Sequence, residues 1–232
     1  MTDLSCKLLI IGAGPGGYVC AIRAGQLGID TIVVDAAKPG GTCLNVGCIP
    51  SKAMIHAADE FHKIAHVNDS PLGISASAPS IDLAQTVAWK DGIVQRLNTG
   101  VSALMKKAKA RFVTGQARFL DGKTVEVTHG DEVQQIRAEY VVIATGSAPV
   151  ELPFLPFGGP ILSSTEALDL TEVPETLAVV GGGYIGLELG TVFAKLGSKV
   201  TVVEAEDRIL SLYDKALTKP VAKRLEDLGV TV

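Results

Sequence analysis

Cys43 and Cys48 stand five residues apart in the run Gly40-Gly41-Thr42-Cys43-Leu44-Asn45-Val46-Gly47-Cys48-Ile49-Pro50-Ser51-Lys52. Two neighbouring thiols can exchange with a dithiol, pack as small apolar side chains or begin a zinc site. In a regular helix, residues five apart rise about 7.5 Å, beyond the roughly 4.4 to 6.8 Å Cα separation of a disulfide, so a bridge here requires a bent segment. Gly47 and Pro50 permit that bend, and strained or exposed disulfides tend to be the reducible ones. A zinc half-site normally has shorter cysteine spacing and needs two more ligands. Redox use is favoured over both alternatives once the adjoining nucleotide motif is counted.

That motif lies just upstream. Leu8 to Ile11 reads as a buried strand, followed by Gly12-Ala13-Gly14-Pro15-Gly16-Gly17, a helix from Tyr18 to Leu27, and a second strand, Thr31 to Val34, ending in Asp35. The pattern recurs as strand Leu177 to Val180, glycines 181, 182, 183 and 186, a helix to about Leu196, and strand Val200 to Val203 ending in Glu204. In a Rossmann turn the first glycine bends the chain, the second lets backbone approach a pyrophosphate, and the third allows helix and strand to pack closely. Gly12, Gly14 and Gly17 fit these roles, as do Gly181, Gly183 and Gly186, and each set has its acid 18 residues past the third glycine. Asp35 and Glu204 are expected to bind a ribose hydroxyl, and a carboxylate there repels a 2′-phosphate, which favours NAD over NADP at the second site.

Positioning these residues requires a scaffold, which the periodicity outlines. Ser51 to His66 places Met54, Ala57, Phe61 and Ile64 on one helical face. Asp82 to Lys109 does the same with Leu83, Val87, Val94, Leu97, Val101, Leu104 and Ala108. Phe112 to Phe119, Thr124 to Thr128 and Glu132 to Ile136 alternate like a small antiparallel sheet with a Gly130-Asp131 turn, after which Tyr140 to Ala144 returns to the main sheet. Prolines 149, 153, 156 and 160 with Gly158 and Gly159 mark a linker. The expected organisation is α/β: a dinucleotide-binding Rossmann-like domain with a small antiparallel insertion over 1–148, a linker over 149–160, and an incomplete second Rossmann-like domain over 161–232.

Composition excludes several classes. With 47% hydrophobic and 20% charged residues the chain can bury a core, so disorder is not expected. A net charge of -4 offers no field for a polyanion. The first residues lack the basic start of an export signal, so a soluble cytoplasmic chain is expected. Cys6 and Cys20 read as small buried hydrophobes.

The cysteine run Gly41 to Lys52 resembles the active-site segment of the pyridine nucleotide-disulfide oxidoreductases, and Leu44 and Ile49 make it most similar to the branch that acts on protein-bound dihydrolipoamide. Val141 to Gly146 resembles that family's second flavin contact, and Gly183 to Glu188 its pyridine-nucleotide turn. The resemblance implies FAD at the first glycine turn and NAD at the second, with Cys43 exchanging with the dithiol and Cys48 lying against the flavin as a charge-transfer thiolate. It implies that Lys52 lies near the flavin and pairs with Glu188, that Gly41, Thr42, Thr145 and Gly146 contact FAD, and that Ala117 contacts its adenine end. Tyr184, with Ile185 beside it, matches a residue covering the nicotinamide pocket. The resemblance further implies a homodimer whose partner subunit supplies a His-Glu acid/base pair, and a lipoyl domain of a 2-oxo acid dehydrogenase or glycine-cleavage complex as partner. His56, His62, His66 and His129 match no such base and are expected on surfaces or in packing. The unfinished second sheet suggests the N-terminal part of a longer enzyme. Glutathione or mercuric-ion chemistry, and a noncatalytic FAD/NAD-binding fragment, remain the alternatives.

Overall fold

The computed structural model describes residues 3–232, which divide into two compact units. One ends at Ile49 and resumes over Gly92–Ala148; the other comprises Pro50–Asp91 and Pro149–Val232. Residues 50–91, placed by the sequence with the first domain, therefore group with the second. Burial explains this: Met54, Ala58 and Leu83 share one apolar cluster with Leu187, Val192 and Phe193, with Phe61 packed against it.

In the first unit β1 (Leu4–Ile11) pairs in parallel with β2 (Thr31–Asp35), which pairs with β3 (Arg111–Thr114). The apolar runs of β1 and β2 follow from a sheet covered on both faces. Leu9, Ile11, Ile32 and Val34 meet Val125, Val127 and Ile136, whereas Ile10 and Val33 meet Ala21, Val101 and Met105. The helices that supply the second face are α1 (Pro15–Gln26) and the C-terminal part of α4 (Leu83–Lys107).

The antiparallel insertion differs from its expected form. Phe112 to Phe119 is not one strand: β3 belongs to the parallel sheet, Gly115 at φ +155° breaks the chain, and β4 (Gln116–Phe119) pairs with β5 (Thr124–His129). Glu132 to Ile136 and Tyr140 to Ala144 instead belong to one long strand, β6 (Glu132–Ile143), antiparallel to β5 at its start and parallel to β1 through Ile143. The result is one six-stranded sheet in the order β3-β2-β1-β6-β5-β4. Because one residue joins its two outermost strands, the sheet must fold over so that the antiparallel part covers the parallel part.

The long helix α4 buries most of the expected stripe: Leu83, Val87 and Val101 are buried, with Ala108 just past its end, whereas Leu97 and Leu104 at one margin are exposed and Met105 at the other is buried. In the second unit β7 (Thr176–Val180) and β8 (Lys199–Val203) pair in parallel and flank α6 (Tyr184–Lys195) in the chain. The chain continues through α7 (Lys215–Asp227) to Thr231, which bridges Thr201 in parallel, as expected for the start of a further strand. Within 149–160 the prolines do prevent regular strands, leaving only the isolated bridges Leu152 to Leu155 and Gly158 to Ile161. A one-turn helix, α5 (Ser164–Ala167), follows with a capping box between Ser163 and Glu166. Among the described residues no helix is long and apolar enough to cross a membrane.

Candidate functional site

The first glycine turn is set by backbone proximity. Gly12 has φ +100°, and a Cβ there would lie 2.1 Å from the Ala144 carbonyl oxygen at the end of β6; one on Gly17 would lie 1.8 Å from the Gly12 oxygen. Only glycine fits either position. Gly14 is the N-cap of α1, and Pro15 opens the helix, so the first-turn amides carry the positive end of the helix dipole with no bulky side chain in front of them. Asp35, at the end of β2, accepts from Ala13 N at 2.7 Å and from Ala37 N at 2.8 Å. Its carboxylate thus closes the turn, with lone pairs remaining for a ribose hydroxyl.

The cysteine segment packs on that turn. Gly40 N donates to the Ala13 carbonyl at 2.8 Å, and a Cβ on Gly41, where φ is +60°, would lie 2.4 Å from Gly14 Cα. Backbone therefore rests on backbone. Cys43 is half-buried in the short helix α2 (Gly41–Asn45), with Thr42 exposed beside it, and Cys48 is the exposed first residue of α3 (Cys48–Ala65). Val46 and Gly47 separate the two helices, so the required bend exists. A Cβ on Gly47 would lie 2.8 Å from the Thr42 oxygen and 3.4 Å from Cys43 Cα, so the link turns back over the start of α2 just before Cys48. Pro50 occupies the first turn of α3, where its missing N–H breaks no helical bond and its ring disfavours a helix running on unbroken from α2. By contrast Cys6 is buried in the core, and burial followed by the nearby Asp30 pushes its thiol pKa up, which makes it inert. Cys20 is half-buried on α1.

Thr145 directly follows Ala144 at the first turn, its amide nitrogen 3.1 Å from where a Gly12 Cβ would stand, and Gly146 adopts φ +74°. Gly115 N donates to the Asp35 carbonyl at 2.9 Å, tethering the start of β4 to the acid. Ala117 lies two residues further on, opposite Val127 in the β4-β5 ladder, and packs against the apolar cluster.

In the second unit the glycine turn repeats the hydrogen-bond plan of the first. Gly182 N donates to Glu204 at 2.7 Å and Glu206 N donates to its other oxygen at 2.9 Å. These two N–H groups hold the Glu204 carboxyl below its usual pKa, so the acid is anionic at neutral pH. Gly181 has the same φ, +100°, and Gly183 is the N-cap of α6. Tyr184 and Ile185 are exposed in the first turn of that helix. One turn later Glu188 receives Lys52 Nζ at 2.6 Å on both carboxylate oxygens, joining α3 to α6.

The histidines lie elsewhere: His56 near the Trp89 ring, His62 against His66 with ring centroids 4.1 Å apart and the rings tilted by 45°, and His129 at the end of β5. Sequence reading missed Asn98 and Asn45, which link α4 to α2. The available signal was a polar residue inside the apolar phase of α4, three residues before Val101 and seven before Met105.

Residues 6–232 match the family described as pyridine nucleotide-disulphide oxidoreductase. The chain is 60% identical over 229 residues to the dihydrolipoyl dehydrogenase of Pseudomonas aeruginosa, covering 98% of this chain and 49% of that protein. It is 47% identical over 229 residues to the dihydrolipoyl dehydrogenase of Geobacillus stearothermophilus, covering 99% of this chain and 48% of that one. Among solved structures it is similar to the Cu(II) complex of the HOCl-induced flavoprotein disulfide reductase RclA from Escherichia coli, with TM-score 0.80, 28% identity, and coverage of 100% of this chain and 49% of that one. The chain spans about half the length of the curated relatives it matches.

Proposed function

Because the chain belongs to the pyridine nucleotide-disulphide oxidoreductase family, we propose that it forms the FAD-binding part and the opening of the NAD-binding part of a dihydrolipoamide dehydrogenase. The observation that carries this reading is the seating of Gly41 directly on Gly14, which brings a bent cysteine pair to a pyrophosphate-type turn. The residues fit the cofactors: a side-chain-free helix N-terminus and a fixed carboxylate occur at each turn. Gly12, Gly14, Gly17, Asp35, Gly41, Thr42, Lys52, Ala117, Thr145 and Gly146 would hold FAD. Gly181, Gly183, Tyr184, Ile185, Gly186, Glu188 and Glu204 would hold NAD.

In the oxidised form Cys43 and Cys48 share a disulfide. A thiolate of dihydrolipoamide attacks Cys43 Sγ, breaking the S–S bond and releasing Cys48 as a thiolate. The second substrate thiol then attacks its own sulfur in the mixed disulfide, freeing Cys43 and leaving cyclic lipoamide. Two electrons have moved from substrate to the cysteine pair, and of the two substrate protons one ends on Cys43 and the other on the base that formed the attacking thiolate. When bound, FAD supplies the two-electron relay from that pair to NAD+. Lys52, held by Glu188, contributes a fixed positive charge to stabilise the reduced state. In this reading the base that deprotonates the substrate belongs to the part of the relatives beyond the length of this chain. The physiological carrier is a lipoyl domain of a 2-oxo acid dehydrogenase or glycine-cleavage complex, and the whole protein is a cytoplasmic homodimer.

Anaerobic titration of the full-length protein with NADH or dihydrolipoamide tests the reading. A long-wavelength thiolate-flavin absorption band that disappears in Cys48→Ser is expected. Dihydrolipoamide oxidation that survives Cys43→Ser unchanged would overturn it, and no spectral change at all would mark a module that binds nucleotides without redox chemistry.

A further inference from the structure

Helix α2, which carries Cys43, has only the five residues Gly41–Asn45, far too few to hold its position alone, and its N-cap Gly40 has no side chain to cap it. Its N-terminal end is fixed by the Gly40 to Ala13 hydrogen bond and its middle by buried Leu44. The C-terminal end depends on an amide network. Asn98, 8% exposed on α4, donates from Nδ2 to the Pro39 carbonyl and, at 3.1 Å, to Asn45 Oδ1. Asn45 in turn donates from Nδ2 to the carbonyls of Lys38 and Pro39 at 3.2 and 3.3 Å. Both ends of α2 are thereby tied to the same Lys38-Pro39 loop, and through Asn98 to a 25-residue helix.

We propose that Asn98 is a positioning residue for thiol exchange: by holding Asn45 and the Pro39 carbonyl it fixes where Cys43 Sγ stands. Disulfide displacement requires the attacking sulfur to line up with the bond it breaks, so small displacements of α2 are amplified in rate. Asn98 falls at helical spacing from Val94, Val101 and Met105 of the apolar cluster, and an amide buried there is costly unless it is paired. The amide is explained by what it holds. This inference rests on the proposed dithiol chemistry and names a residue that tunes it.

The test uses Asn98→Leu, Asn45→Leu and the double variant in the full-length flavin-loaded protein. Two activities are compared: NAD+-dependent dihydrolipoamide oxidation, which needs the cysteines, and NADH-dependent ferricyanide reduction, which draws electrons directly from flavin. Dihydrolipoamide turnover should fall roughly tenfold, in kcat rather than KM, given that a misplacement of 1 Å can cost about 10²-fold. Ferricyanide reduction should stay within about twofold, and the double variant should lose no more than either single one, as coupled residues do. Equal losses in both activities, or losses that multiply, would show a merely structural role and overturn the proposal. Iodoacetamide alkylation of Cys43 in the reduced protein supplies a substrate-independent readout, and its rate should change several-fold in Asn98→Leu. If the unsubstituted protein fails to oxidise dihydrolipoamide, the substrate assignment falls, and an unchanged alkylation rate would then refute the role of Asn98 separately.

Discussion

The two glycine turns share one hydrogen-bond plan and differ in what surrounds it. In each, the strand-end carbonyl before the acid accepts from the first glycine's amide (Gly12 N to Val34 at 2.7 Å, Gly181 N to Val203 at 2.8 Å), and the acid accepts from the residue after that glycine. At the first turn, however, β6 brings the Ala144 carbonyl against Gly12, and α2 lays Gly41 on Gly14. At the second, a Cβ on Gly181 or on Gly183 would meet nothing within 4 Å. One motif therefore encodes glycine for separable reasons. At Gly181 the requirement is φ alone; at Gly12 it is φ together with close backbone.

Substitution by alanine separates those reasons, and the largest effects belong to the crowded positions. Gly17→Ala and Gly12→Ala should each destabilise the fold by more than about 4 kcal/mol, because the added carbon would sit within 2.1 Å of a carbonyl oxygen in either case. Gly186→Ala, with 2.5 Å to the Gly181 oxygen, should come next. Gly181→Ala should cost only about 1 to 2 kcal/mol, the strain of a left-handed alanine. Urea denaturation of the four variants checks the order; equal losses for Gly12→Ala and Gly181→Ala would remove the distinction between the turns.

A middle-sized effect is expected where the first turn has a neighbour that the second lacks. Gly41→Ala combines φ +60° with a 2.4 Å approach to Gly14 Cα, and the chain relieves it only by lifting α2 off the turn. A stability loss of about 2 to 3 kcal/mol is expected, together with a slower exchange of electrons between dithiol and flavin. A variant that loses stability but keeps its reduction rate would show that this contact supports the fold without serving the redox pair.

The glycines, acids and cysteines were legible because local spacing specifies them: a tight turn, a helix N-terminus and a strand-end carboxylate all lie within one βαβ unit. The bend between Cys43 and Cys48 followed from helix rise alone. What escaped depends on contacts distant in sequence. Nothing near Gly115 reveals that it joins the two outer strands of one sheet, and nothing in residues 50–91 reveals that Met54 and Leu83 pack with Phe193. The periodicity of α4 fitted two overlapping faces, and the tertiary partners selected the one containing Asn98 over the one containing Leu97 and Leu104. The position of Asn98 in the apolar phase of α4 was a signal of burial, but its partner Asn45 lies 53 positions away, where local spacing does not reach.

The smallest effect concerns the feature on which the turns agree. Glu204 uses one oxygen for Gly182 N and the other for Glu206 N, so Glu204→Gln must turn an amide N–H toward one of these donors. The folded-state pKa of Glu204 lies below its ordinary value, chiefly through the Glu206 bond and then the Gly182 bond. A carboxylate whose pKa is depressed on folding stabilises the protein above its unfolded pKa, about 4.3, and loses that contribution as pH falls through the lower folded value. The glutamine variant should therefore melt below the parent at pH 7, by less than any glycine variant, and the gap should close as pH drops below about 4. Thermal melts across that range decide the point. A gap that persists unchanged at pH 3 would mean that the ionised form of Glu204 does not hold the turn, and that the two glycine loops resemble each other in sequence while being fastened differently.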